Sequence, residues 1–164
     1  MTAKIIEEPA FKDRVFIFRD RFEAGKLLAD KLREYAGKRN VVVLGIPAGG
    51  VPVGAILGKE LAVQMDVVIV RKIQIPWNTE AGFGAVTWNG TTVLNKNLVE
   101  QLNLTEEQIV DSILKPRRNI KERLKKFRGD KPLPQLKGKV VILVDDGLVS
   151  GFTMLAAARA IKKK

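Results

Sequence analysis

Two adjacent carboxylates, Asp145 and Asp146, follow the run VVILV at positions 140–144 and precede Gly147, Leu148, Val149, Ser150, Gly151, Phe152 and Thr153. Ionised acids only accept hydrogen bonds, so the pair suits sugar hydroxyls or a metal ion and would repel a phosphate that it faced. The residues after the acids are small or loop-compatible and open into the Ala-rich stretch Met154 to Ile161. That is a strand, a turn and a helix start. Unpaired N–H groups and the positive dipole end of such a start hold a phosphate, with hydroxyl donors from Ser150 and Thr153. A phosphorylated ribose meets both demands. The plainer use of Asp-Gly is an ordinary strand-end turn, but strand, acid pair, glycine turn and helix together are far longer than a lone glycine pattern.

Two further groups have types that bind anions. Pro47, Ala48, Gly49 and Gly50 follow the apolar run VVVLGI, and Arg71 and Lys72 follow DVVIV. Paired glycines let a backbone approach a ligand closely, and cations at the mouth of a parallel sheet stand where ligands bind. An isolated Arg-Lys dipeptide is usually a solvated pair; its place after a strand gives this one meaning.

The elements that must position these groups are legible as apolar patterns. Val140 to Val144, Val41 to Ile46 and Asp66 to Val70 read as strands of a parallel sheet, the first of them buried on both faces. Val51 to Leu61 reads as a helix after a glycine turn. Asp20 and Glu23 resemble a capping box ahead of Ala24, Leu27, Leu28, Leu32 and Tyr35, with Gly37 closing the helix. Between them, Asn89-Gly90 joins two β-prone runs, Ala85 to Trp88 and Thr91 to Leu94, as a type I′ hairpin. Pro76 to Gly84, which holds Trp77 and Glu80 between Pro and Gly hinges, reads as a mobile flap.

Thr105 and Gln108 cap a second amphipathic segment with Ile109, Ile113, Ile120, Leu124 and Phe127 on its apolar stripe, kinked or split at Pro116. Its other face carries Lys115, Arg117, Arg118, Lys121, Arg123, Lys125, Lys126 and Arg128, which reads first as a solvated face and second as a nucleic-acid surface. DKPLPQLKGK then forms a Pro-rich surface connection.

The chain has 164 residues, a length that suits one domain over 1–164. No apolar run is long enough for a membrane span, and MTAKIIEEP is too charged for a signal peptide, so no membrane partner and a cytoplasmic location are expected. The sequence has no Cys and no His, which removes thiol and imidazole catalysis, disulfides and the usual zinc sites. Any metal then takes oxygen ligands, which favours Mg2+. A formal charge of +11 attracts polyphosphates and nucleic acid alike.

VVILVDDGLVSGFT resembles the phosphoribosyl pyrophosphate signature of type I phosphoribosyltransferases. FRDRFEAGKLLADKL, the glycine loop, the Arg-Lys pair and the segment ending KKFRG extend the likeness to a subgroup of bacterial and archaeal members. The resemblance implies an α/β fold: a parallel-sheet, Rossmann-like phosphoribosyltransferase core with an inserted β-hairpin flap. It also implies a further strand and a hood after position 164, so an incomplete C-terminus, and self-association through uncovered surface, are expected.

The activity so implied is transfer of a phosphoribosyl group from phosphoribosyl pyrophosphate to a nitrogenous small-molecule acceptor, with loss of magnesium pyrophosphate, in nucleotide metabolism. Asp145 and Asp146 would hold the ribose, and Gly147 to Thr153 the 5′-phosphate. Ala48, Gly49, Gly50, Arg71 and Lys72 would hold the leaving group, with Lys72, Glu80 and the acids as catalytic candidates and the acids as indirect metal ligands. In the family the pyrophosphate loop often has a non-proline cis peptide, and an Arg commonly stands where this chain has Ala48. An Asp that assists 6-oxopurine acceptors stands where this chain has Val149, which disfavours such acceptors. The alternative is a regulator that senses the same donor and binds nucleic acid through its basic helix. An unrelated dinucleotide or P-loop domain lacks its motifs here.

Overall fold

The β-branched run Val41–Gly45 (β1) is the middle of a three-stranded parallel sheet, and each of its residues is buried. The computed structural model describes residues 5–163. Gln64–Val67 (β2) and Val140–Val144 (β6) flank β1, and Gly45 pairs with both Val67 and Val144. The three strands therefore end level, and the loops after β1 and β6 emerge side by side. That register is what can assemble a site from segments a hundred residues apart.

Strand alternation divides the core. Val43 and Val144 face Arg21–Lys31 (α1) and Gly50–Glu60 (α2), through Ala29, Val53, Leu57 and Leu61. Val42, Leu44 and Ile46 face the opposite way, onto Ala156 and Ala157 of Phe152–Lys162 (α5). β6 is an edge strand with only Val144 buried and Val140 40% exposed, not a strand covered on both faces. The continuous apolar run specifies strand, but pairing on one side leaves much of it in contact with solvent.

A second, antiparallel sheet contains Val70–Ile75 (β3), Asn78–Thr87 (β4) and Thr92–Leu94 (β5). Asn95–Leu104 leads through Lys96–Gln101 (α3) into Glu106–Arg128 (α4), whose Ile109, Ile113, Ile120 and Leu124 cover Ile69, Ile73, Phe83 and Val86. The full capping box at Thr105 and Gln108 forms.

Several local expectations change. The strand expected over Asp66 to Val70 stops at Val67, and Val70 begins β3 in the other sheet. Pro76 to Gly84, expected as a flap, is a hairpin turn continuing into β4, since Asn78 pairs with Ile75 and Gly84 with Ile73. Gly90 has φ +82° but Asn89 keeps a negative φ, and Gly90 N–H bonds Thr87 O at 2.9 Å. Only the glycine of the turn is left-handed, so it is not type I′, which needs two positive φ values.

α1 ends at Lys31, before a 3-10 turn at Arg33–Tyr35, so Gly37 is not its closing residue; Gly37 N–H instead bonds Leu61 O at 2.8 Å. Glu23 accepts from Arg19 N–H (2.6 Å), so only the Asp20 half of the first capping box forms, with Glu23 N–H donating to Asp20 at 2.8 Å. α4 runs unbroken through Pro116. Phe127 lies 40% exposed, off the packed stripe. Arg128 leaves the solvated basic face: its side chain is 5% exposed and ion-paired with Asp66, and it also donates to Val67 O at 3.1 Å. Among the described residues no helix is long and apolar enough to cross a membrane.

Candidate functional site

At the level end of the parallel sheet the glycine loop and the acid pair touch. A Cβ at position 49 would fall 1.7 Å from Asp146 Oδ2, and one at position 50 would fall 2.4 Å from Val144 O. Both contacts are far inside any real carbon–oxygen approach: at position 50 the neighbour is backbone, so only glycine lets the loop lie against the end of β6, and at position 49 a side chain would displace the Asp146 carboxylate. Gly49 thus borders the Asp146 carboxylate and Gly50 the backbone of Val144 and Asp145. The Pro47–Ala48 peptide in the same loop is cis, and Ala48 is exposed.

Each acid spends one oxygen on the protein. Asp145 Oδ1 accepts from the Asp146 backbone N–H at 3.0 Å. Asp146 Oδ2 accepts from Arg21 Nε at 2.8 Å and Nη2 at 2.6 Å. Asp145 Oδ2 and Asp146 Oδ1 have no protein donor among the described residues, which leaves one unused acceptor oxygen on each of two consecutive acids. Burial pushes the Asp145 carboxyl above the ordinary aspartate value; the Asp146 N–H opposes that shift and the Asp146 charge adds to it.

Beyond the acids, Gly147, Leu148, Val149 and Ser150 form an exposed loop, with Leu148 68% exposed. Gly151 takes φ +74° and caps α5 with no side-chain hydrogen bond, so the helix N–H groups stay open toward that loop. Thr153 stands in the first turn. Phe152 is half-buried against the core below α5, an anchor rather than a loop-facing group.

The acids also line a groove of about 760 Å³ whose remaining walls are Phe11, Phe18, Arg21, Leu28 and Val53, among others from the N-terminal segment and α1. Phe11 and Phe18 meet edge to face, with centroids 5.4 Å apart. Arg21 and this wall escaped the reading of the sequence. The only signal was the capping pattern that starts α1 at Asp20, which marks a helix but not its proximity to position 146.

Arg71, Lys72 and Glu80 form a different group, on the antiparallel sheet. Lys72 Nζ donates to the Glu80 carbonyl, and its stem lies across Gly82, where a Cβ would fall 2.4 Å from Lys72 Cγ. Glu80 itself is exposed, and its N–H donates to Asn78 Oδ1 at 2.9 Å. Arg71 points to the α4 side. Burial first, then the Arg123 charge, pull its pKa below the usual guanidinium value, and its buried Nε has no partner among the described residues. The Arg-Lys pair therefore lies inside β3, one residue to each face, rather than at the mouth of the parallel sheet.

Carboxylate oxygens are the donor type that magnesium accepts, usually one or two of them completed by substrate phosphates and water. Asp145 and Asp146 fit that description. Among the described residues no group of three or more acidic side chains could cage a metal by itself.

Residues 19–164 match the family model described as the phosphoribosyl transferase domain. Two Mycobacterium tuberculosis proteins, from strains CDC 1551 and H37Rv, carry provisional names as phosphoribosyl transferases; each is 36% identical over 146 residues. Those residues are 89% of this chain and 33% of each relative, so the chain spans about a third of their length. The crystal structure of TT1426 from Thermus thermophilus superposes with a TM-score of 0.64 at 34% identity, covering 89% of this chain and 69% of that one.

Proposed function

The chain belongs to the phosphoribosyl transferase domain family, and we propose that it binds phosphoribosyl pyrophosphate at the acid pair and passes the phosphoribosyl group to a nitrogenous small-molecule acceptor. The observation that carries this reading is the pair of free oxygens, one on each adjacent acid. Vicinal ribose hydroxyls offer two donors at matching neighbouring positions, and ionised carboxylates are strong acceptors for them.

The remaining roles follow from position. The 5′-phosphate lies on the Gly147–Thr153 loop, where open N–H groups at the start of α5 and the hydroxyls of Ser150 and Thr153 receive it. The pyrophosphate end takes the backbone of Ala48, Gly49 and Gly50, with Lys72 supplying positive charge from β3. Lys72 must leave the Glu80 carbonyl to do so; Arg71, turned to the α4 side, would have to swing out of that face to join it. Asp145 or Asp146, together with donor oxygens, would hold magnesium, which when bound would supply charge neutralisation at the leaving group. The protein's own contribution is positioning and electrostatic stabilisation of a sugar cation. The β3–β4 hairpin tip, with exposed Trp77, closes over the donor and keeps water out.

Calorimetric titration of phosphoribosyl pyrophosphate with magnesium tests the reading. Saturable binding that Asp145→Asn with Asp146→Asn abolishes supports it; binding unchanged by that pair of substitutions rejects it. The regulatory alternative uses the same donor site but releases no pyrophosphate with any acceptor. A pyrophosphate assay over bases and amines separates the two.

A further inference from the structure

Arg21 is the first residue of α1, and everything around it fixes where its guanidinium goes. Asp20 caps the helix through Glu23 N–H at 2.8 Å. Four residues on, Gly25 brings α1 so close to α2 that an added Cβ would lie 2.8 Å from Ile56 Cβ. α2 in turn begins at the glycine loop, and that loop lies against Asp146. One packed unit therefore carries Arg21 and Gly49 to the same carboxylate, while Gly50 meets the backbone of Val144 and Asp145 beneath it.

The contact is selective in its chemistry. Both Arg21 donors meet Oδ2, at 2.8 and 2.6 Å, and neither meets Oδ1. Gly49 borders the whole Asp146 carboxylate, Oδ1 included, so Arg21 alone distinguishes the two oxygens, leaving Oδ1 without a donor among the described residues. Two ionised acids on consecutive residues also repel, and a guanidinium on Oδ2 offsets that repulsion without occupying Oδ1.

We propose that Arg21 is a positioning residue of the donor site: it holds Asp146 in the orientation that receives a ribose hydroxyl, and acts on the donor only through that carboxylate. The inference rests on the ribose reading of the acid pair. It assigns a site role to α1, which contributes none of the loop or strand-end motifs.

A double-substitution cycle in the full chain tests it, with phosphoribosyl pyrophosphate and magnesium titrated into wild type, Arg21→Gln, Arg21→Lys, Asp146→Asn and Arg21→Gln with Asp146→Asn. Arg21→Gln should weaken donor binding about tenfold, the scale of one charge-assisted contact discounted for partial exposure. Arg21→Lys should recover part of the loss, and melting temperatures guard against unfolding. In the Asp146→Asn background the Arg21 substitution should have no further effect. Equal binding by wild type and Arg21→Gln overturns the proposal, as does a full tenfold loss that persists without the Asp146 charge, since that marks a direct or merely structural role. No donor binding by wild type rejects the ribose reading itself, and is distinguishable because every variant then behaves alike.

Discussion

At the edge of the parallel sheet Asp146 is bounded by Gly49 on one side and by Arg21 on another, whereas on the antiparallel sheet Lys72 has one hydrogen bond, to a backbone carbonyl, and a flexible stem laid over Gly82. The first arrangement comes from three strands ending in register and from backbone contacts that only glycine permits. The second comes from a hairpin whose tip, Trp77 to Glu80, is exposed. One region is organised before any ligand arrives; the other can change partners. The proposed transfer would use both, since a donor must be oriented by something fixed and enclosed by something that moves.

The contrast breaks most directly at the acids. Replacing Asp145 and Asp146 together by Asn should weaken donor binding by at least about 100-fold, the loss of two charge-assisted hydrogen bonds, while circular dichroism stays unchanged. The clamp between the two halves comes next. Arg128 ties the end of α4 to β2, and Arg128→Gln leaves Asp66 half-buried and unpaired, which should cost about 2–4 kcal/mol in urea unfolding. Hydrogen exchange should then rise in β3 and β4 before β1; a uniform rise would mean that the two sheets are stabilised as one unit.

Neighbouring glycines separate seating from scaffold. Gly50→Ala drives a methyl into Val144 O and should destabilise by about 1–3 kcal/mol, while Gly49→Ala meets the movable Asp146 carboxylate and should cost donor affinity more than stability. Reversal of that order would show that the loop, not the acid, yields. On the hairpin, Lys72→Gln should reduce donor affinity by no more than about tenfold, read by calorimetry, because its charge is mobile and exposed.

The smallest effect concerns Asp145. Its folded-state pKa is raised by burial, so the folded protein binds its proton more readily than the unfolded chain does. Stability of the free protein therefore falls as pH rises from the unfolded to the folded pKa and stays at the lower value above it. Donor binding, which needs the ionised acid, falls as pH drops through the same window. Asp145→Asn should stabilise the free protein at neutral pH by less than about 1 kcal/mol, discounted for exposure, while losing the donor. A lower melting temperature for that variant would contradict the sign.

Local chemistry alone determined the strands at Val41–Gly45 and Val140–Val144, the helices capped at Asp20 and Thr105, and the acid pair followed by an uncapped helix start. Each is a short-range consequence of β-branching, period or capping, so a window of about ten residues suffices. What the tertiary structure decided lies in contacts between distant segments. Val70 switches sheets, so the Arg-Lys pair is divided between the two faces of β3, an outcome set by pairing with β4 and by the cover of α4 that no local pattern encodes. Arg128 and Arg21 look alike in sequence, two cations on charged helices. One is buried on Asp66 and the other stands on the acid pair 125 positions away, because strand register and helix packing, not residue type, choose the partner.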